Sequence, residues 1–192
     1  MITLTQEEMD AINYDAREGD VENLKEIFTE ISPKLLLEIK DDNTLSTPIH
    51  MAAGNGHVET LEYLLSILDK KEAEELVNRK NESGNTALHW AAFNGHLPVI
   101  ELLVEKFNAD IFLKNENGHD AMFEAENNGK EEIEQWFVKK FSVEEDFKFE
   151  ENEQESKITY TPGKETKEAD ERARLAQEAS DLEKKTEKLS VE

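Results

Sequence analysis

The fold is decided by the stretch Thr47-Pro48-Ile49-His50-Met51-Ala52-Ala53-Gly54-Asn55-Gly56-His57, which recurs as Thr86-Ala87-Leu88-His89-Trp90-Ala91-Ala92-Phe93-Asn94-Gly95-His96. An internal repeat of this length indicates a solenoid, in which each unit buries its apolar surface against its neighbours. The threonine that opens each stretch favours a helix N-cap, and the glycine near its end favours a left-handed helix end. The apolar residues that follow recur at helical spacing. Each unit is therefore predicted to be a pair of helices.

Two less regular units flank this pair, at Asp10–Asp20 and Asp120–Lys130. Each has an aspartate where the helix N-cap is expected, at Asp10 and at Asp120. Aligning all four units on their turn glycines leaves the first two spacings longer than the third. Short insertions are therefore predicted around 31–39 and 69–76. The turn glycines of the four units are Gly19, Gly56, Gly95 and Gly129.

The pattern T-P-L-H-x-A-A-x-x-G-H resembles the ankyrin repeat, a unit of roughly 33 residues with two antiparallel helices and a projecting hairpin. The resemblance implies an all-α solenoid of four helix-turn-helix repeats with short hairpin loops, within a domain of residues 1–142. The outer repeats of such an array face water on one side and commonly depart from the pattern, as both do here. The four repeats are predicted at roughly 6–31, 42–68, 81–106 and 115–141.

Composition is that of a soluble intracellular protein. The chain of 192 residues has no cysteine, which excludes a disulfide framework and cysteine-based zinc sites. It has no run of 18 apolar residues, and its first residues show no signal-peptide pattern, so we expect no membrane partner. Lysines occur in pairs and not in long basic runs, but a mass of 22.0 kDa permits diffusion through nuclear pores. We expect a cytoplasmic and nuclear protein.

The sequence changes character after Phe141. Residues 144–155 contain seven acidic residues and one lysine, a block that is usually solvated and disordered. We therefore predict an acidic, largely disordered C-terminal tail over residues 143–192. Within it, residues 165–189 are rich in Glu, Lys, Ala and Arg and are a possible helix. The tail either moves freely or docks on the repeats or on a partner.

The net charge of −23 restricts the partner. Residues 143–192 contain 16 acidic and 9 basic residues, a balance of −7, which leaves −16 for residues 1–142. Phosphate backbones are repelled by such a surface, so direct binding to nucleic acid is not expected. A basic protein is the natural partner, because complementary charge accelerates encounter and favours the correct client. The alternative is that the charge serves only solubility.

No motif for catalysis is present, and no cofactor or metal is predicted. The chain has neither a G-x-x-x-x-G-K-[ST] phosphate loop nor a G-x-S-x-G nucleophile elbow. Four of the five histidines occupy fixed positions of the repeat, where their rings are expected to bond loops and caps. His119 lies at a hairpin position without a nucleophile or metal partner. We therefore expect a protein that is not an enzyme.

Binding is expected through side chains that the scaffold does not need. In ankyrin arrays the hairpin tips and the exposed side of each first helix line a concave surface. Trp90 and Phe93 are the strongest candidate anchors, because aromatic residues dominate interface energetics; packing between repeats is the alternative for both. Trp136 and Phe137 are predicted to be core residues. The candidate partner-binding residues are Tyr14, Arg17, Met51, Asn55, Glu82, Asn85, Trp90, Phe93, Asn94, Glu116, His119, Glu124 and Asn127.

Three segments make the resemblance more specific. They are D-A-R-E-G-D at Asp15–Asp20, G-N-T-A-L-H-W-A at Gly84–Ala91 and G-H-D-A-M-F-E-A-E-N at Gly118–Asn127. Together they resemble the small fungal ankyrin-repeat chaperones dedicated to the third ribosomal protein of the small subunit. The resemblance implies a monomer that binds the basic ribosomal protein one-to-one, at its N-terminal helical region, before it joins the pre-ribosome. Our hypothesis for the cradle consists of Trp90, Phe93, Glu82, Glu116 and Glu124.

Two other functions stay open from the sequence. One is a generic ankyrin adaptor or scaffold, because one fold supports many binding functions. The other is an acidic histone-type chaperone that acts mainly through residues 144–155. Deleting residues 143–192 is expected to abolish binding of the histone type and only to weaken a client held by the repeats.

Overall fold

The computed structural model describes residues 3–141 and, for the backbone alone, residues 147–152 and 155–160. Residues 3–141 fold into nine α-helices and one short 3-10 helix, Pro33–Leu37. The α-helices are α1 (Gln6–Glu18), α2 (Val21–Glu30), α3 (Pro48–Gly54), α4 (Val58–Ser66), α5 (Lys70–Val77), α6 (Ala87–Asn94), α7 (Leu97–Phe107), α8 (Ala121–Asn127) and α9 (Glu131–Phe141).

Four helix pairs form the repeats, as the sequence predicts. The pairs are α1/α2, α3/α4, α6/α7 and α8/α9, and the first helix of each pair stacks on the first helix of the next. Fully buried aliphatic residues such as Leu24, Ile49, Leu64, Leu88 and Ile100 form one continuous core through the pairs. Each such side chain contributes roughly 1.5–3 kcal/mol through its removal from water. Because every pair depends on its neighbours for this burial, adjacent repeats stabilise one another.

The two predicted insertions are short helices that enlarge the core. The 3-10 helix Pro33–Leu37 follows the first repeat, and α5 follows the second. Leu36 and Leu76, one from each insertion, are fully buried. Asp69 caps α5 by accepting the backbone N–H of Glu72 at 2.9 Å. The longer spacings between turn glycines therefore reflect added helices that pack on the array, not loose loops.

Two turn glycines are required by contact as well as by backbone geometry. Gly19 and Gly56 have φ angles of 79° and 81°, in the left-handed region that disfavours other residues. A Cβ atom at Gly19 would lie 2.5 Å from the ring of His57, and one at Gly56 would lie 2.8 Å from the ring of His96. The histidine that ends the repeated stretch thus packs on the turn of the preceding repeat.

The first helix begins where the first repeat is predicted to begin, but the expectation that Asp10 is its N-cap is wrong. Thr5 is the N-cap and forms a reciprocal capping box with Glu8. Asp10 lies one turn inside α1, where its carboxylate accepts a hydrogen bond from the side chain of Gln6 at 2.8 Å. In the last repeat the predicted cap is confirmed, because Asp120 accepts from the N–H of Phe123 at 2.9 Å.

The loops that precede α3, α6 and α8 are hairpins that bond to one another. In the second and third hairpins, the N–H groups of Asn81 and Asn115 donate across the turn to the carbonyls of Asn85 and His119. The N–H of Glu82 donates to the first hairpin at 2.8 Å, and the N–H of Glu116 donates to the second at 3.1 Å. Successive hairpin tips therefore form a continuous edge of the domain.

Residues beyond the repeats include one element that the sequence analysis did not predict. The strand β1 (Phe147–Asn152) pairs antiparallel with β2 (Glu155–Tyr160), with Phe147 opposite Tyr160. The alternating aromatic residues at 147 and 149 are typical of a strand, but the surrounding negative charge directed the prediction toward disorder. The possible helix at 165–189 lies outside the described residues. No helix in the described part of the chain is long and apolar enough to cross a membrane.

Candidate partner-binding face

The exposed sides of α1, α3, α6 and α8, together with the three hairpin tips, constitute what we call the first-helix face. Its aromatic centre is on α6, where the rings of Trp90 and Phe93 lie 6.2 Å apart in an edge-to-face arrangement at 70°. Such pairs are worth about 0.5–1.5 kcal/mol beyond the area they bury, which fixes the two rings relative to each other. Phe93 is 43% exposed and Trp90 is half-buried.

Trp90 also has a packing role. A Cβ atom added to Gly54 of the preceding repeat would lie 3.6 Å from the Cβ atom of Trp90. The base of the tryptophan therefore rests on α3, while the exposed part of the residue remains available on the first-helix face. Both interpretations of Trp90 from the sequence, contact with the neighbouring repeat and contact with a partner, are compatible with this position.

A cavity of about 200 Å³ lies beside the two rings, between the second and third hairpins. Glu124 of α8 contributes a carboxylate whose side chain is 13% exposed. Its Oε1 atom accepts from Nδ2 of Asn115 at 2.9 Å and lies 3.2 Å from Nδ1 of His119. The residues that line the cavity are Asn85, His89, Trp90, Phe93, Asn115, Asn117 and Glu124.

Two buried histidines hold the hairpins in place. Nδ1 of His50 accepts from the N–H of Thr47 at 3.1 Å, so the proton is on Nε2, which donates to the carbonyl of Asn85 at 3.0 Å. His89 repeats these contacts with Thr86 and with the carbonyl of His119. Burial lowers the pKa of His50 to about 4 and also lowers the pKa of His89. Both rings are therefore neutral at pH 7, and their role is to join successive repeats.

His57 and His96 join the repeats at the opposite end of each first helix. Nε2 of His57 donates to the carbonyl of Arg17 at 2.8 Å, and Nε2 of His96 donates to the carbonyl of Gly54 at 3.1 Å. The prediction that four histidines bond loops and caps is thus confirmed.

Several predicted site residues have scaffold roles in the structure. Asn94 donates to the carbonyl of Gly54 at 2.8 Å, and Asn55 donates to the carbonyl of Met51 at 2.8 Å. Met51 itself is half-buried and packs against the core. The side chain of Asn85 accepts from Asn115 at 2.8 Å, which links the two hairpins below the cavity. Mutation of these residues is expected to disturb the array as well as any partner contact.

The remaining predicted residues are spread along the face. Glu82 and Glu116 are exposed at successive hairpin tips, and Asn127 is exposed near the end of α8. Tyr14 and Arg17 are exposed on α1, and they do not line the cavity. The structure therefore brings Asn85, Trp90, Phe93 and Glu124 to one cavity, with His119 bonded at its edge. Whether the wider set binds a partner stays a prediction.

Charge is distributed unevenly between the two sides of the array. In the described part of the chain, the ion pairs of lysine and arginine with carboxylates lie on the second helices and the insertions. Lys106 of α7 pairs with Glu62 of α4, and Lys140 of α9 pairs with Glu105 of α7. By contrast, Glu82, Glu116 and Glu124 have no lysine or arginine partner among the described residues. These three glutamates of the first-helix face therefore lack the ion pairs that lysine and arginine form with carboxylates of the second helices.

Sequence reasoning missed Phe123 and Asn117. Phe123 is 42% exposed, and its ring lies 4.0 Å from the ring of His119. The available signal was its place in the repeat, since Phe123 aligns with the buried histidines and belongs to the last of the four repeats. Asn117 lines the cavity from the tip of the third hairpin, and no local sequence pattern distinguishes it.

A second cavity of about 280 Å³ lies away from these residues, where α4, α5 and α7 meet. Its walls include Leu65, Leu68, Ala73 and Phe107, and none of the predicted site residues lines it. Within the described residues, no group of His, Asp or Glu side chains is arranged to hold a metal ion. Phe137 is buried and Trp136 packs against the core, which confirms their predicted structural role.

The chain was compared with known proteins. The family model for ankyrin repeats, in three copies, matches residues 12–115. The ankyrin repeat-containing protein YAR1 of Saccharomyces cerevisiae is 52% identical over 116 residues, a match that covers 58% of this chain and 58% of the relative. A chain in the crystal structure of the yeast ribosomal protein Rps3 in complex with its chaperone Yar1 is similar in fold, with a TM-score of 0.70 and 50% identity. That match covers 73% of this chain and 97% of the other.

The matched range spans more than half of the sequence, and the helix pairs, hairpins and interrepeat histidines described above agree with it. This chain belongs to the ankyrin-repeat family.

Proposed function

We propose that this chain is a dedicated chaperone of Rps3, the third ribosomal protein of the small subunit. The observation that supports this most directly is the aromatic pair Trp90 and Phe93 on the first-helix face, together with the glutamates Glu82, Glu116 and Glu124 that lack a lysine or arginine partner among the described residues. Similarity to yeast Yar1, which the crystal structure describes as the chaperone of Rps3, supplies the identity of the client. The chaperone acts by binding, and we propose no catalytic step.

The mechanism follows from charge and shape. A newly made ribosomal protein exposes basic surface that is destined for RNA and that associates indiscriminately before assembly. The repeat domain, with a balance of −16, covers this surface, and the aromatic pair supplies an apolar anchor. We propose that the N-terminal helical region of Rps3 occupies the first-helix face one-to-one, as an amphipathic helix in a groove. RNA in the pre-ribosome then competes for the same basic surface and releases the chaperone.

The test measures the affinity of purified full-length protein for purified Rps3 by calorimetry at several salt concentrations. The variant Glu82→Lys/Glu116→Lys reverses two exposed tips, and its affinity is expected to fall at least about tenfold because the client meets like charge. The matched control, Glu26→Lys/Glu30→Lys, makes the same charge change at exposed positions of α2. It is expected to retain most of the affinity, and wild-type affinity is expected to fall with added salt.

Equal losses in the two variants would show that total charge matters and the first-helix face does not, which contradicts the proposal. Removal of residues 143–192 distinguishes the proposal from the histone-type alternative. A client held by the repeats should still bind the truncated chain, whereas binding of the histone type should be lost. Preference for neutral partners over Rps3 would favour a generic adaptor instead.

We further propose that the protein acts in the cytoplasm and the nucleus, along the route of a ribosomal protein from synthesis to assembly. Fluorescence microscopy of the tagged protein in its own cells tests this, and exclusion from the nucleus would restrict its action to the time before import.

A further inference from the structure

The cavity beside Trp90 and Phe93 has the chemistry of a receptor for one planar cationic side chain. Its volume of about 200 Å³ lies below the 300–1,000 Å³ that is usual for small-molecule sites, so it fits a single side chain better than a whole ligand. Its walls combine two aromatic residues, one carboxylate and several amide groups. No lysine or arginine lines it.

Glu124 is the residue that gives the cavity its preference for a positively charged side chain. Its side chain is 13% exposed, and both hydrogen bonds that it accepts end on Oε1, from Asn115 and from His119. In the described part of the chain, no donor reaches Oε2. The carboxylate is thus held in one orientation with one oxygen free, inside a partly dehydrated site where a charge-assisted hydrogen bond is stronger than in water.

The aromatic and amide groups favour arginine over lysine. Trp90 and Phe93 are fixed by their edge-to-face contact and offer ring surface against which a guanidinium group can stack. A guanidinium group has five donors in one plane, whereas an ammonium group is a strongly hydrated point charge. Asn117 and Glu124 both line the cavity, and amide and carboxylate oxygens of this kind can accept from such a planar fork.

We propose that this cavity, which we call the Glu124 pocket, binds an arginine side chain of the protein partner between Trp90, Phe93 and Glu124. The inference rests on the proposed function for the identity of the partner, but the pocket itself is a property of this chain. It deepens that function by giving the first-helix face a preference for arginine at one position of the client, in addition to its general preference for positive charge.

The first experiment uses the full-length protein and a minimal probe, N-acetyl-arginine methylamide, with N-acetyl-lysine methylamide as the comparison. Binding is followed by NMR through the indole N–H of Trp90, in the variant Trp136→Phe that leaves a single tryptophan. We expect a saturable shift with the arginine probe and binding at least about fivefold weaker with the lysine probe. Absence of a saturable shift, or equal affinity for the two probes, would overturn the proposal that the Glu124 pocket binds arginine.

Variants of single glutamates test whether the carboxylate of Glu124 is responsible for binding the arginine probe. Glu124→Gln keeps an oxygen that can accept from Asn115 but removes the charge, and it is expected to weaken the arginine probe about tenfold. Glu26→Gln, at an exposed position of α2 outside the cavity, is the matched control and should leave the probe affinity unchanged. A Glu124→Gln protein that binds the arginine probe as tightly as the parent would contradict the assignment.

Affinity for Rps3, measured in parallel, separates the two proposals. If wild type binds Rps3 and Glu124→Gln weakens both Rps3 and the probe, the client uses the pocket. If Glu124→Gln loses the probe and keeps Rps3 affinity, the inference about the client is wrong while the chaperone function stands. If wild type binds the probe and does not bind Rps3, the chaperone proposal fails and the pocket belongs to another basic partner.

Discussion

The two middle repeats and the two outer repeats of this array differ at one decisive position. The fourth residue of the repeated stretch is His50 or His89 in the middle, where each ring joins its own N-cap threonine to the next hairpin. The same position is Asn13 in the first repeat and Phe123 in the last. Asn13 is buried, and neither polar atom of its side chain has a hydrogen-bond partner among the described residues. Phe123 is exposed on the first-helix face.

The difference distinguishes residues that hold the repeats together from residues that are exposed to a partner. A repeat with neighbours on both sides uses a histidine to join them, and its regularity is a consequence of that contact. Within residues 3–141 no further repeat follows the last one, and there the position carries Phe123, whose aromatic ring lies beside His119 at the edge of the candidate site. The variants below remove, weaken or transfer the histidine contact to test how much of the array depends on it.

The largest expected effect is at the histidine position itself. His50→Ala removes the acceptor for the buried N–H of Thr47 and the donor to Asn85, and it leaves a cavity in a fully packed region. Unsatisfied polar groups and lost packing together predict a loss of about 3 kcal/mol in the free energy of unfolding. Urea unfolding followed by circular dichroism at pH 7 measures it.

The comparison variant is Asn13→Ala in the first repeat. Because the amide of Asn13 already lacks partners, its removal is expected to change the free energy of unfolding by less than about 1 kcal/mol. Similar losses at the two positions would show that the histidine contacts contribute little and that the two kinds of repeat are energetically equivalent.

The second effect is a dependence on pH. The pKa of His50 is about 4 in the folded protein, against about 6.5 when unfolded, so protonation favours the unfolded chain. The contribution of the neutral ring is complete above pH 6.5 and is lost progressively as the pH falls from there toward 4. The full loss is about 3 kcal/mol.

The measurement is a difference between two proteins, so that the pH dependence shared by both cancels. Wild type and His50→Gln are unfolded with urea between pH 7.5 and pH 4 on the same series of buffers. The stability advantage of wild type over the variant should shrink with falling pH. A difference that stays constant would mean that His50 retains an ordinary pKa and is not sealed from water.

A third variant transfers the contact to the first repeat. Asn13→His places a ring where its Nε2 can donate to the carbonyl of Ser46, which corresponds to the carbonyl of Asn85 that His50 reaches. One new buried hydrogen bond and the removal of an unsatisfied amide predict a gain of about 1 kcal/mol in the free energy of unfolding. The midpoint of urea unfolding checks this prediction. A lower midpoint would show that the larger ring does not fit and that the first repeat is built around the smaller asparagine.

The limits of sequence reasoning follow the same division between middle and outer repeats. The positions of His50 and His89, the turn glycines and both insertions were predictable because the repeat itself supplies the alignment. The N-cap of α1 was not, because a local capping box at Thr5 and Glu8 takes the place of the expected cap at Asp10.

In the candidate site, the residues could be predicted from the repeat pattern, but their arrangement in three dimensions could not. Trp90, Phe93 and Glu124 were predictable from their positions in the repeat. The cavity between them was not, because it depends on contacts such as that between Asn85 and Asn115, thirty residues apart, that no local pattern encodes. The strand pair β1/β2 was missed for a different reason: net charge outweighed a two-residue alternation of aromatic residues in the prediction.

The smallest expected effect concerns the hairpins that the histidines bond. Leu45 occupies the left-handed position of the first hairpin, with a φ of 56°, where the second and third hairpins have Gly84 and Gly118. The left-handed backbone costs a non-glycine residue roughly 1–2 kcal/mol. Glycine avoids this strain, but its greater freedom in the unfolded chain offsets roughly 0.5–1 kcal/mol of the gain. Leu45→Gly is therefore expected to raise the free energy of unfolding by about 0.5 kcal/mol, measured by urea unfolding. The opposite exchange, Gly84→Ala, should lower it by more, since the added Cβ atom would lie 2.8 Å from the backbone nitrogen of Glu116. A loss of stability in Leu45→Gly would mean that contacts of the leucine side chain outweigh the strain, and that the first hairpin keeps this residue for its packing.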